Sequence, residues 1–391
     1  MTSPRFSILI PTRDRQETFV HALATVAAQP GDDFEIVVAD NASRPGIRAA
    51  VEAITSVPIR YLRSDTALNM DANWERGLDA CQGEFITILG DDDGFLPSTL
   101  EAVRRILNVT RANLLSWPCH TYWWPDTIVP WNRNTLVVGY GSKVYSADSR
   151  NTLVGFMNGS ISFGSIPMLY NSFAHRSLVG AIKQKYGTYF PVPYIPDVVS
   201  GVLLLSQTGR YALSTRPLVV RGNSGRSQGT SYWCRHLGAK RREESQKDEK
   251  SPLEALIHPS LIPSPNLHIL LASCRLWCHE VLFPSDEELK VDLGPLVDEL
   301  VASLNFEPEA YDDNLADVRA LAAKLGRAID PASIPPVQVR PRRPSSGPIA
   351  DEKGNLTSLA VNGNLAGLQN IHDASRLAEA LVPELDTFIR A

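Results

Sequence analysis

A chain of 391 residues with 43% hydrophobic residues can bury a sizeable core in two domains, or in one large domain with appendages, which excludes global disorder. The net charge of -5 offers no nucleic-acid surface, and no apolar run reaches the roughly 18 residues of a membrane helix. The odd count of five cysteines (Cys81, Cys119, Cys234, Cys274 and Cys278) and an N-terminus, MTSPRFSILIP, unlike a signal peptide lead us to expect reduced thiols in a soluble cytoplasmic protein.

The first hundred residues alternate between two periodicities. Phe6 to Ile10 is a short apolar run closed by Pro11, which reads as a buried strand. Phe19, Leu23, Val26 and Ala27 then recur at helical spacing. Phe34 to Asp40 is a second strand, Arg48 to Ile54 a helix, Ile59 to Leu62 a third strand and Asp71 to Cys81 a helix. Phe85 to Leu89 is a fourth strand, followed by a helix from Pro97 to Leu107 with proline in its first turn. Such alternation implies right-handed βαβ units and a parallel sheet, whose ligands bind beyond the carboxyl ends of the strands.

The pattern is less regular further on. Trp117 to Trp131 holds four of the seven tryptophans, at least two of them expected in the core. Asn134 to Tyr145 reads as paired strands, Pro167 to His175 as a strand, Ser177 to Tyr186 and Asp197 to Leu205 as helices, and Tyr211 to Val220 as strand. Arg221 to Ser231 is a polar, glycine-bearing loop. A charge run at Arg235 to Lys250 precedes a largely helical stretch from Pro252 to Ala328. Six prolines and the basic patch Arg340 to Arg343 mark Pro331 to Pro348 as an extended linker, and Asp373 to Leu381 as a last amphipathic helix.

Within this frame the run Asp91, Asp92, Asp93 is chemically unusual, because adjacent carboxylates repel and are poor strand and helix formers. If the segment is extended, Asp91 and Asp93 point the same way and suit Mg2+ or Mn2+, whose charge would keep them ionised. The competing reading is a solvated turn with Asp93-Gly94 at its tip.

Taken in order, SILIPTRDR, EIVVADNAS and NMDANWERGLDACQGEFITILGDDDGFLP resemble a family 2 glycosyltransferase of the GT-A fold. The resemblance is strongest over residues 5–107, weaker to about 232 and absent beyond. It implies that Pro11, Thr12 and Arg13 line a nucleotide pocket and that Asp40 accepts hydrogen bonds from the base, usually a pyrimidine, with Asn41 and Ser43 nearby. It further implies that Asn69 and Asn73 lie by the nucleotide sugar, that Asp91 and Asp92 face the nucleotide, and that Asp93, with Asp91, holds Mn2+ or Mg2+. Thr12 and Asp40 could instead cap helices, and Asn69 could be the N-cap of the Asp71 helix. The family inverts by single displacement, and its base, which takes the acceptor's proton, matches Asp197 in YIPDVVSG, where Pro196 replaces a common glutamate. Asp197 could also be an ordinary acidic residue at a helix N-terminus. Arg221 and Arg226 are candidates to neutralise the diphosphate, and His236 for a third metal ligand. Cys274, Cys278 and His279 sit at helical spacing and could bind zinc, but with no second pair of ligands the cysteines read as buried thiols.

Other classes fit less well. The glycine fingerprint of a dinucleotide oxidoreductase is missing after the first strand, as is the glycine-rich loop of a sugar-nucleotide pyrophosphorylase. An aspartate-nucleophile phosphatase carries its acids after the first strand, and processive synthases carry a Q-x-x-R-W-type motif with membrane helices. The expectation is therefore an α/β protein with a GT-A type parallel or mixed sheet flanked by helices and a mainly helical C-terminal extension. Its catalytic domain would span 1–232 (nucleotide-sugar half to about 110, acceptor half 111–232), followed by helices at 233–330, an extended segment at 331–372 and a terminal helix at 373–391. The expected partners are a nucleotide-diphospho-sugar, with UDP the first base choice, and a glycan, lipid-linked or small-molecule acceptor. Peripheral membrane contact and homo-oligomers stay open. The alternative is a degenerate relative that binds a sugar nucleotide or a partner without catalysis.

Overall fold

The computed structural model describes residues 3–192, 194–249, 257–338, 346–351, 353–385 and 387–388. The four expected strands form as β1 (Phe6–Thr12), β2 (Phe34–Asp40), β3 (Ile59–Arg63) and β4 (Phe85–Ile88), separated by α1 (Gln16–Ala27), α2 (Ile47–Glu52) and α3 (Met70–Ala80). Every residue of β1, β2 and β4 is buried, as parallel strands covered on both faces require. The chain continues through β5 (Gly94–Phe95), α4 (Thr99–Thr110), β6 (Leu114–Ser116), β7 (Cys119–Trp123), β8 (Thr135–Gly139), β9 (Lys143–Asp148) and α5 (Ser149–Met157). Then come β10 (Ser172–His175), α6 (Arg176–Tyr186), α7 (Pro196–Ser206), β11 (Arg210–Ser214), β12 (Val219–Asn223), α8 (Gln228–Trp233), α9 (Ala239–Glu249), α10 (Leu267–Leu282), α11 (Leu296–Ser303) and α12 (Tyr311–Lys324). The last elements are β13 (Gly347–Ala350), β14 (Leu356–Asn362), α13 (Gly363–Ala366), α14 (Ile371–Leu381) and β15 (Thr387–Phe388).

Two sheets result. The larger has the order β15-β9-β11-β6-β10-β4-β1-β2-β3, with β3, β2, β1 and β4 parallel and β10 antiparallel to both of its neighbours. The second runs β13-β14-β8-β7-β12-β5. The expected pairing across Gly139 and Gly141 does not form. Thr135–Gly139 joins the second sheet and Lys143–Asp148 the first, so this stretch crosses between sheets instead of turning back as a hairpin. The strand expected over Pro167 to His175 is confined to Ser172–His175, preceded by a 3-10 turn at Leu169–Asn171.

The C-terminal region departs furthest from expectation. Within the stretch expected as a linker, β14 pairs with β8 and α13 anchors to Asn134, whose amide donates to Asn364 at 2.9 Å and to the Leu368 carbonyl at 3.1 Å. The basic patch Arg340 to Arg343 lies outside the described residues. Helix α14 buries Ile371, Ala374 and Ala378 against Leu96, Tyr122, Trp124 and Val220, forming a small core of its own behind β5 and β12. Proline content suggested extension, but Leu356–Asn362, which holds no proline, pairs with the edge of β8. The helices α10, α11 and α12 pack on α7 through a shared core that includes Val198, Val202, Leu270, Cys274 and Cys278. Trp117, Trp124 and Trp131 are buried, as expected for at least two of that cluster. No helix among the described residues is long and apolar enough to cross a membrane.

The α14 contact has a polar lock. Glu379 accepts from the Ser98 hydroxyl at 2.9 Å and from the Arg216 guanidinium at 2.8 Å, and the Arg216 side chain is only 5% exposed. Removing one partner of such a pair strands a buried charge. In urea melts Glu379→Ala should therefore lower the unfolding free energy by about 2–4 kcal/mol, and Glu379→Gln by less. A loss below about 0.5 kcal/mol would mean that α14 is not held by this contact.

Candidate active site

The parallel register aligns the candidate residues. Thr12 pairs with Asp40 across β1 and β2, Asp40 with Arg63 across β2 and β3, and Leu9 with Ile88 across β1 and β4. Pro11, Thr12, Asp40 and the start of the aspartate run thus share the carboxyl edge of one sheet, where α/β ligand sites form.

The aspartate run is not an extended segment. Asp93 N–H donates to the Gly90 carbonyl at 3.1 Å, which closes a turn over Gly90–Asp93. The chain must reverse here because β4 belongs to one sheet and β5 to the other. Asp91 and Asp93 consequently have different partners and do not share one side of a strand. Asp91 accepts from the Thr12 hydroxyl at 2.8 Å and from the Arg15 guanidinium at 2.9 Å. Asp92 accepts from the Ser224 hydroxyl at 2.6 Å and lies 3.7 Å from Arg15. Asp93 accepts from the backbone N–H of Gly222 at 2.7 Å and of Gly90 at 3.2 Å. Gly222 is required for this approach, since a Cβ there would stand 1.9 Å from the Asp92 carbonyl oxygen. The turn is not solvated either, because all three aspartates are buried.

Burial sets the charges. It pushes the Asp91 carboxyl above its ordinary value against the pull of Arg15 and Thr12. Burial and the neighbouring Asp92 charge raise Asp93 to about 7. Burial also works against the Arg15 charge, but Asp91 and Asp92 outweigh it and hold the guanidinium protonated. Asp93 takes part in no salt bridge among the described residues. Nothing in the sequence singled out Arg15, yet a buried acidic run demands a cation, and the β1–α1 loop supplies one.

The candidate nucleotide side is dominated by internal bonds. The buried Asp40 carboxylate accepts from Ser43 N–H at 2.9 Å, the Tyr61 hydroxyl at 2.5 Å and Arg63 at 2.8 Å. Burial alone would raise its pKa, but these donors outweigh it and lower it. Neither Thr12 nor Asp40 caps a helix. Asn41 exchanges bonds with Leu68, donating to its carbonyl at 2.9 Å and accepting from its N–H at 2.8 Å. Ser43 accepts from Asp14 N–H at 3.0 Å, and Asn73 donates to the Ala39 carbonyl at 3.0 Å. These three side chains pin the loops around the pocket. Asn69 is exposed at the N-cap of α3, without a capping bond from its side chain, and Arg13 is half-buried between β1 and α1. Tyr61 was legible only as a strand residue, and Arg63 lies one residue beyond the strand expected from sequence.

On the opposite side stands Asp197, in the first turn of α7 behind Ile195, a β-branched residue at φ 41°. That conformation costs on the order of 1–3 kcal/mol and needs its surroundings to hold it. Burial raises the Asp197 pKa, partly offset by the Val198 N–H and by the charge of Arg221. The Arg221 charge also acts on Asp93, so the two carboxylates share one exposed cation. Arg226 donates to the Asp14 carbonyl and Arg15 to the Arg226 carbonyl, closing the loop after β12 over the loop after β1. His236 is not brought here; its ring meets Asp313 at 2.7 Å. Cys274 and Cys278 are fully buried in the α7–α10 core.

Residues 7–156 match the family model described as Glycosyl transferase family 2. A GalNAc(5)-diNAcBac-PP-undecaprenol beta-1,3-glucosyltransferase of Campylobacter jejuni is 30% identical over 108 residues, 27% of this chain and 35% of that protein. The putative colanic acid biosynthesis glycosyl transferase WcaA of Escherichia coli is 29% identical over 100 residues, covering 25% of this chain and 36% of that protein. The alignments thus span about a third of these relatives. The crystal structure of S. aureus TarS 1-349 in complex with UDP-GlcNAc superposes with a TM-score of 0.46 at 15% identity, covering 83% of this chain and 93% of that one. The segment 7–156, which contains the aspartate turn and the carboxyl edge of the sheet, is thus the part of the chain that matches glycosyl transferase family 2.

Proposed function

We propose that this protein transfers a sugar from a nucleotide-diphosphate donor, with inversion, to a hydroxyl of a glycan, a lipid-linked sugar or a small molecule. The observation that carries this reading is the buried aspartate turn at the carboxyl edge, with a separate carboxylate, Asp197, standing opposite. The glucosyl transfer named for the Campylobacter relative is one instance of that class.

A divalent cation fits the donor chemistry of the turn, which buries three carboxylates and pairs only two of them with Arg15. Among the described residues no three His, Cys, Asp or Glu side chains converge to hold a cation by themselves, so ligand oxygens would complete its shell. Asp93 would hold Mn2+ or Mg2+, with Asp91 from the other side of the turn as the second candidate ligand, and the cation would supply positive charge to the departing diphosphate. Arg221 and Arg226 would add charge-assisted bonds to the same phosphates. Pro11, Thr12, Arg13 and the Asp40 region, pinned by Asn41, Ser43 and Asn73, would enclose the nucleoside, and Asn69 would meet the ribose side with Asp91 and Asp92. Asp197 would take the proton of the acceptor hydroxyl, and the raised pKa of its half-buried carboxyl makes it a better base near neutral pH.

Calorimetry with UDP, GDP, CDP and TDP should detect one diphosphate that binds with Mn2+ and not without it. Asp93→Ala should abolish that binding, and failure of every nucleotide to bind the wild type would sink the proposal. Asp197→Asn should keep donor binding while transfer falls by about 100-fold or more. Near-normal transfer by that variant would remove Asp197 from its role and favour another base.

Without metal, Asp93 makes stability depend on pH. Its folded value of about 7 lies above the ordinary 3.8, so its contribution is complete below about pH 4 and is lost as pH rises through 7. The slope is at most about 1.4 kcal/mol per pH unit. Denaturant melts of metal-free protein should show wild type losing more stability than Asp93→Asn between pH 5 and pH 8. Equal losses would show that Asp93 titrates normally.

A further inference from the structure

Between the aspartate turn and Asp197 lies Tyr170, a residue that neither the sequence pattern nor the family match marks. Its ring edge packs on the backbone entering the turn, with Cε1 3.3 Å from where a Cβ of Gly90 would stand. Trp74 meets the ring edge-on at 5.1 Å between centroids. The 3-10 turn that carries Tyr170 is strung between the two halves of the site. On one side Thr87 of β4 donates to the Leu169 carbonyl at 3.0 Å. On the other, Leu169 N–H donates to the Ser200 hydroxyl at 3.0 Å, which donates to the Asp197 carbonyl at 2.5 Å. Asn171 completes the anchor by accepting from Trp117 N–H at 3.1 Å and donating to the Trp117 and Ile166 carbonyls, each at 3.2 Å. Backbone and ring are therefore fixed, and only the hydroxyl is left to choose a partner.

We propose that the Tyr170 hydroxyl donates a hydrogen bond to the transferring sugar and so selects the donor in the reaction proposed above, on which this inference rests. Three observations lead there. First, the diphosphate end of a donor belongs with the aspartate turn and the acceptor hydroxyl with Asp197, so the group between them is the sugar ring. Second, among the described residues the Tyr170 hydroxyl forms no hydrogen bond, although Tyr170 is only partly exposed. Third, a phenol is protonated at neutral pH, so the hydroxyl is a neutral donor amid carboxylates. A purely structural tyrosine would serve the Trp74 contact equally well as phenylalanine. A site built to hydrogen-bond a substrate hydroxyl, by contrast, discriminates against ligands that lack it.

Tyr170→Phe keeps the ring and removes only the hydroxyl. Wild type and variant would be titrated in Mn2+ with UDP and with UDP-glucose and UDP-N-acetylglucosamine, or with the corresponding pair for whichever base binds. The expected result is UDP affinity within about twofold of wild type, with the preferred sugar nucleotide weakened about tenfold, the worth of one lost hydrogen bond. The melting temperature should not change. Weakening of both ligands alike, or of neither, overturns the role of Tyr170 and leaves the proposed function standing. Absence of nucleotide binding in the wild type overturns both.

Discussion

Three consecutive carboxylates buried at the junction of two sheets are the constraint around which this protein is arranged. Transfer of an ionised carboxylate out of water is costly unless it is paired or hydrogen-bonded, and here each aspartate is answered from a different direction. Thr12 and Arg15 come from the loop after β1, Ser224 and the Gly222 N–H from β12, and the Gly90 N–H from the turn itself. The second sheet is needed for this, because without β12 alongside β5 the Asp93 carboxylate would lose its shorter bond. The C-terminal helix α14 closes the far side of those strands. A segment remote in sequence therefore contributes to the rigidity of the acidic turn.

The compensation is incomplete in a direction that matters. Arg15 serves Asp91 and Asp92, whereas Asp93 has only backbone donors and is driven toward neutrality. Local structure has been organised to hold more negative charge than the chain itself neutralises. Such a site gains from a cationic or cation-bridged ligand, and this is the physical link between the fold and the transfer chemistry. Across the cleft, α7 presents Asp197 from a strained start at Ile195, and the packing of α10 against α7 supplies the surroundings that hold that strain. The two halves are spaced by the Leu169–Asn171 turn through hydrogen bonds to β4 and α7, so their separation is a property of the scaffold and not of a mobile loop. A cross-loop contact that ligand binding could rearrange without disturbing either sheet is the Arg15 and Arg226 pair of side chain to carbonyl bonds.

Much of this was legible in the residues. Short apolar runs closed by turn residues gave β1 to β4, because parallel strands buried on both faces leave a continuous hydrophobic signature. Their alternation with helical spacing fixed the side of the sheet on which Thr12, Asp40 and Asp91 had to emerge. Beyond residue 110 the signal weakened. Strands of three to five residues, such as β6, β8 and β11, are too short to carry a periodicity, and the sheet each one joins depends on partners far away in sequence. Proline content misled over 331–372, since the prolines there end at Pro348 and β8 offers the following segment an edge on which β14 forms.

The sequence by itself determined the βαβ alternation, the carboxyl-edge placement of the candidate residues and the need for a cation near Asp91 to Asp93, because these follow from local periodicity and from charge. Only the tertiary structure decided that the run is a turn and not a strand end, that Arg15 supplies the cation and Gly222 the close approach, and that Tyr170 packs against the turn. They depend on contacts distant in sequence, such as Arg15 with Asp91, 76 residues apart, and Asp93 with Gly222, 129 apart, and on which of two sheets a short strand chose. No window of sequence encodes that choice; it is made when the sheets pack and the buried carboxylates must find donors.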